Sequence, residues 1–143
     1  MGASVTAYWP NITEAQLEQQ PYFKNDCKAW GDWMAERLEH PDVIKAIEDL
    51  GCKAILTYTT AGLEDTDVDW VTPEELAQAA RTLKEAVHQN RPGIERILKT
   101  YELSCNDVDP LEDEFIQDLV DLEAIAEWAA KKGVSRMTLE VNW

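Results

Sequence analysis

Both ends of this 143-residue chain alternate between apolar and polar side chains with a period of two. Near the start, Val5, Ala7 and Trp9 point one way while Ser4, Thr6 and Tyr8 point the other. At the far end, Met137, Leu139, Val141 and Trp143 share one face, and Thr138, Glu140 and Asn142 share the opposite one. Successive side chains of a strand leave on opposite sides, so each pattern describes a strand with one buried face. Trp9 and Trp143 need the same core, so the terminal strands are expected to be neighbours. A third alternation, Lys53 to Thr59, sets Ala54, Leu56 and Tyr58 against Ile55, Thr57 and Thr59. One-sided alternation predicts a sheet with helices on one side only.

Helical signals fill the interval. Thr13-Glu14-Ala15-Gln16 is a capping box opening a short helix that stops before Pro21. Cys27, Trp30, Trp33, Met34 and Leu38 recur at helical spacing up to His40-Pro41. A new helix starts at Pro41, turns Val43, Ile44, Ile47 and Leu50 inward, and takes Gly51 as its C-terminal cap. The clearest start is Thr72-Pro73-Glu74-Glu75, where Thr72 caps, Pro73 suits the first helical position and Glu75 reaches back to the cap nitrogen. Val71 and Leu76 are placed to staple it, and Leu76, Ala80, Leu83 and Val87 form its buried stripe. Ile94, Ile97, Leu98 and Tyr101 mark another helix after Arg91-Pro92-Gly93.

The last helix opens at Asp109-Pro110-Leu111-Glu112, carries the stripe Leu111, Phe115, Leu119, Leu122, Ala126 and Ala129, and closes on Gly133 after Lys131 and Lys132. The expected fold class is α+β, a small sheet of about three strands with about six helices packed on one face. No linker-like stretch or internal repeat interrupts residues 1–143, which predicts a single compact domain. An apolar content of 45% with six tryptophans supports a packed core despite a net charge of −15.

That charge is clustered. Residues 64–71 carry −4 and residues 105–143 carry −7, while residues 72–104 sum to zero. A field of one sign attracts basic partners and repels nucleic acid. Asp65, Asp67 and Asp69 alternate like a calcium loop, but an EF-hand begun at Asp65 needs Gly and Glu where Trp70 and Leu76 stand. They read as an acidic loop, and no metal is expected. Asp107, Asp109, Glu112, Asp113 and Glu114 crowd the start of the last helix, more acids than the helix dipole needs. Asp118, Asp121, Glu123 and Glu127 are expected on faces away from the apolar stripe, as solvated surface or as a docking face.

Catalytic signatures are missing from the pattern. His40 and His88 lie at helix ends, and no Cys or His pair has zinc spacing. Ser104 and Cys105 have no nucleophile-elbow context, and the six glycines are isolated rather than gathered into a phosphate loop. No cofactor is expected. Three widely spaced cysteines fit a reducing compartment, no apolar run is long enough for a bilayer, and the N-terminus lacks a signal-peptide pattern. The chain reads as cytoplasmic with no membrane contact. Trp70, between three aspartates and a helix cap, is either an interface anchor or a packed side chain.

The order of the pieces resembles the YfbM-like family of small bacterial proteins. Four stretches carry the likeness: Ile12-Thr13-Glu14-Ala15-Gln16-Leu17-Glu18, Asp26-Cys27-Lys28-Ala29-Trp30, Trp70-Val71-Thr72-Pro73-Glu74-Glu75-Leu76, and the tail from Glu112-Asp113-Glu114-Phe115 through Ala129-Ala130-Lys131-Lys132-Gly133. Where that family has a Leu-His step after its tryptophan, Gly31-Asp32-Trp33-Met34 follows Trp30 here. The resemblance implies a one-domain α+β fold with no catalytic residues to inherit.

The functional expectation is a protein-binding module, of the kind an inhibitor or immunity-type neutraliser of a basic protein would be. Its surface would comprise Asp65, Asp67, Asp69 and Trp70 with Asp107, Asp109, Glu112, Asp113 and Glu114, provided the fold brings residues 65–70 near residues 107–114. The alternatives are a small-ligand protein or enzyme with a pocket between sheet and helices, and a nucleic-acid mimic. Direct nucleic-acid binding is not expected, and the oligomeric state is not readable.

Overall fold

The computed structural model describes residues 4–21, 41–59, 68–98 and 113–142. In chain order these form β1 (Ser4–Tyr8), α1 (Glu14–Gln19), α2 (Pro41–Asp49), a 3-10 turn (Lys53–Leu56), β2 (Tyr58–Thr59), α3 (Pro73–Gln89), α4 (Arg91–Leu98), α5 (Asp113–Lys131) and β3 (Thr138–Asn142). The architecture is mixed and mostly helical, of α+β type, with a small sheet. The helix expected over Cys27–Leu38 and the strand residue Trp143 lie outside the described residues.

The terminal strands do pair. β1 and β3 run antiparallel, with Ser4 opposite Asn142, Val5 opposite Val141 and Tyr8 opposite Thr138. β2 lies parallel on the other side of β3, giving the order β1-β3-β2. Val5, Ala7 and Trp9 of the first alternation are buried, as are Met137 and Leu139 of the last. These side chains join Leu76, Leu83, Leu119 and Leu122 in one core cluster.

The expected strand over Lys53–Thr59 is corrected to a 3-10 turn followed by two strand residues. The cause lies upstream. Gly51, at φ 81°, ends α2 with the amide of Gly51 bonded to Glu48 O and that of Cys52 to Ile47 O, a Schellman closure. The chain then turns tightly, with the Ile55 amide on Cys52 O and the Thr57 hydroxyl on Ala54 O. Cys52 and Ile55, three apart, are the residues that go inward, and Tyr58 is left exposed. A period of three replaced the apparent period of two.

Both sequence-read capping boxes form. The Gln16 amide donates to Thr13 Oγ1 while the Thr13 amide donates to Gln16 Oε1. Thr72 and Glu75 exchange the same two bonds, each at 3.1 Å. Asn90 ends α3, and its Oδ1 accepts the Gly93 amide, so α4 begins at Arg91 rather than after Gly93. α5 ends as expected on Gly133, again at φ 81°, with Gly133 N bonded to Ala130 O and Val134 N to Ala129 O. No helix among the described residues is long and apolar enough to cross a membrane.

Candidate functional site

The acids of α5 were expected to face away from its apolar stripe, and here the structure differs most. Asp118 is fully buried and Asp121 nearly so, with Gln117 Nε2 donating to Asp121 Oδ1 at 2.8 Å. Glu123 and Glu127 meet α3, which packs mainly against α5. Arg81 Nε lies 2.9 Å from Glu123 Oε1 and Arg81 Nη2 lies 2.9 Å from Glu127 Oε1, while Lys84 Nζ reaches Glu123 Oε2 at 3.0 Å. Burial pushes the Glu123 carboxyl up, but hydrogen bonds from Arg81 and Lys84 and their positive charge outweigh it and hold it below the usual carboxylate range. The guanidinium of Arg81 is raised in turn, first by its bond to Glu123. Glu123 is a largely buried counterion, whereas Glu127 pairs with Arg81 and stays solvated, as expected.

Of the expected surface, Asp65, Asp67, Asp107, Asp109 and Glu112 lie outside the described residues, and so does the approach of residues 65–70 to 107–114. Asp113 and Glu114 open α5. Asp69 is exposed. Trp70 is half-buried, stacked on Tyr8 with ring centroids 5.8 Å apart, and the guanidinium of Arg136 lies 5.1 Å from its ring centroid. Next to it, Val71 and Met137 exchange two backbone hydrogen bonds. Trp70 thus fastens the approach to α3 onto the sheet's outer face. Thr138, opposite Tyr8 in register, is fully buried there, so the outer face is not left wholly to water.

Two clefts are better placed for binding. The larger, about 690 Å³, runs between the 3-10 turn and the first turns of α3. Gly51, Lys53, Ala54 and Thr57 form one wall, and Val71, Glu74, Glu75, Gln78 and Ala79 the other. A smaller hollow of about 290 Å³ shares Lys53 and Thr57 with it and adds Ile44, Glu48, Leu56, Tyr58 and Asp69. The two adjoin at Lys53 and Thr57, and together their charged lining is Glu48, Asp69, Glu74 and Glu75 against Lys53. Thr72 and Pro73 fix the first turn of α3, which puts Glu74 and Glu75 on that rim where the helix dipole favours carboxylates.

The second cleft has the opposite character. About 300 Å³ in volume, it lies between the turn after β1 (Trp9, Pro10, Asn11), Gln16 of α1, and the turn from α5 into β3 (Lys132 to Arg136). The Ile12 amide bonds to Trp9 O, and Asn11 has φ 60°. Pro10 at the second turn position and a left-handed Asn at the third are the marks of a type II turn.

Cys52 is buried, and burial pushes its thiol up to about 11, so it is neutral at physiological pH. Among the described residues no three His, Cys, Asp or Glu side chains gather where a metal could sit. His88 is exposed at the end of α3.

Compared with known proteins, the chain matches no family model, no curated protein and no solved structure.

Sequence reasoning passed over both clefts. The first brings Glu48 and Asp69, 21 residues apart, onto one hollow, a meeting that spacing cannot reveal. The second did leave a signal: residues 128–139 hold Lys131, Lys132 and Arg136 with no acid, in a chain of 28 acids.

Proposed function

We propose that this chain is a protein-binding module that presents an acid-rimmed apolar cleft to a basic protein, as an inhibitor or immunity-type neutraliser would. The observation that carries this is the cleft between the 3-10 turn and α3, with four carboxylates and one lysine around an apolar floor. An apolar floor anchors a partner's side chain, and a rim of one sign steers a partner of the other, with an effect that salt weakens. The docking residues proposed with Asp69 are Asp65, Asp67, Trp70, Asp107, Asp109, Glu112, Asp113 and Glu114. Glu123 and Glu127 are excluded because Arg81 and Lys84 neutralise them. The reading fits a cytoplasmic bacterial protein of YfbM-like type, with about six helices on one face of a three-stranded sheet.

A second reading, a small-ligand site in the same cleft, is favoured by its volume, since ligand pockets span roughly 300–1,000 Å³. One experiment separates the two. The triple variant Glu48→Lys/Asp69→Lys/Glu74→Lys is compared with Glu14→Lys/Glu18→Lys/Glu85→Lys, an equal charge change at exposed positions elsewhere. Crosslinked partners of the wild-type protein, identified by mass spectrometry, are expected to be strongly basic, lost in the cleft variant and kept in the control. Equal loss in both, or retention in both, refutes the cleft as the docking site. Saturable binding of a small molecule that blocks no protein contact supports the second reading.

A further inference from the structure

We infer that the cleft between the β1–α1 turn and the α5–β3 turn is a binding site for a small phosphate-type anion, free or as a phosphomonoester. Lys132 and Arg136 both line the cleft, and among the described residues neither forms an ion pair with a carboxylate. They rest on aromatic rings instead. Lys132 Nζ lies 5.9 Å from the centroid of Trp128, and the Arg136 guanidinium lies 5.1 Å from that of Trp70. A ring holds a cation in place without neutralising it, so among the described residues neither charge is compensated.

Gln16 supplies a directed donor. Its Oε1 accepts from the Thr13 amide at 3.0 Å and from Trp9 Nε1 at 3.2 Å. Those two bonds fix which end of the amide is oxygen, leaving Nε2 as the group able to donate to a ligand. Asn11 and Ser135 add further polar side chains to the lining. Two cations with amide and hydroxyl donors match an acceptor-rich dianion better than a neutral or cationic ligand. The volume, about 300 Å³, is enough for a small anion. This cleft shares no lining residue with the acid-rimmed cleft, so the two proposals stand or fall separately.

The test is titration of the full chain with inorganic phosphate, and separately with glycerol 3-phosphate, at constant ionic strength, followed by calorimetry and tryptophan fluorescence. Saturable binding is expected, with the tighter ligand identifying the free or esterified form. Lys132→Gln/Arg136→Gln is expected to weaken it by roughly tenfold or more. Gln16→Glu provides a variant that keeps the capping box and the Trp9 bond, since a carboxylate accepts both hydrogen bonds. It removes the donor and adds a negative charge, so it too loses binding while circular dichroism stays native. Absence of saturable binding up to about 20 mM phosphate overturns the inference. Equal binding by wild type and variants, or an equal response to matched chloride, overturns it as well.

Discussion

Arg81 and Lys84, midway along α3, end on the carboxylates of α5, whereas Lys132 and Arg136, at the turn from α5 into β3, end on tryptophan rings. The first pair closes a seam whose neighbours Leu83, Leu119 and Leu122 are fully buried. The second pair lines an open cleft. The seam turns acids that look like an exposed face into part of the scaffold, and the turn leaves positive charge accessible in an acidic chain. Net charge therefore describes neither region: one is neutral by pairing and the other is locally basic.

The contrast makes its largest prediction in stability. Leu122→Ala opens a cavity in the seam and is expected to lower the unfolding free energy by about 2–5 kcal/mol, read from urea denaturation. Lys132→Gln/Arg136→Gln gives up two partly exposed cation–π contacts and is expected to cost no more than about 1–2 kcal/mol. A reversal of that order would mean that the turn, not the seam, holds the fold together.

The ends and starts of elements were legible in the sequence because they depend on neighbours a few residues away. Thr13 with Gln16, Thr72 with Glu75, and the glycines at 51 and 133 each behave as their local chemistry dictates. The pairing of the terminal strands was legible for a different reason, since each had an apolar face needing cover. What failed depended on how much of an element its surroundings cover. The α5 stripe of Leu119, Leu122, Ala126 and Ala129 is buried as read, but Ile125, Asp118 and Asp121 beside it are buried too. The helix is covered over a wider arc than its apolar residues mark. Trp70 stayed between two readings because its partners Tyr8 and Arg136 lie 62 and 66 positions away. Of the expected acidic surface, only Asp69 can be placed among the described residues as an exposed carboxylate, and its cleft partners were invisible to spacing.

A smaller effect sharpens the comparison through pH. Glu123→Gln leaves Arg81 and Lys84 without their shared carboxylate and is expected to cost about 1–2 kcal/mol at neutral pH. The folded-state carboxyl is held below its ordinary value of 4.5, so its contribution is complete above that value. It is lost as pH falls through the lower folded value. Urea midpoints of wild type and Glu123→Gln should therefore differ at pH 7 and converge in acid. A constant gap from pH 7 to pH 3 would mean that the ion pairs do not account for the difference.

The smallest effect is the most discriminating. Arg136→Gln is expected to lower stability by less than about 1 kcal/mol, because the guanidinium is exposed and gives up a single contact with a ring. The contact is between a guanidinium and an indole ring and includes no carboxylate. The gap between wild type and Arg136→Gln should thus be flat over the range in which the Glu123→Gln gap closes. Should the two gaps close together, a carboxylate must be neutralising Arg136. The contrast between seam and turn would then collapse, and with it the case for a cation free to meet a phosphate.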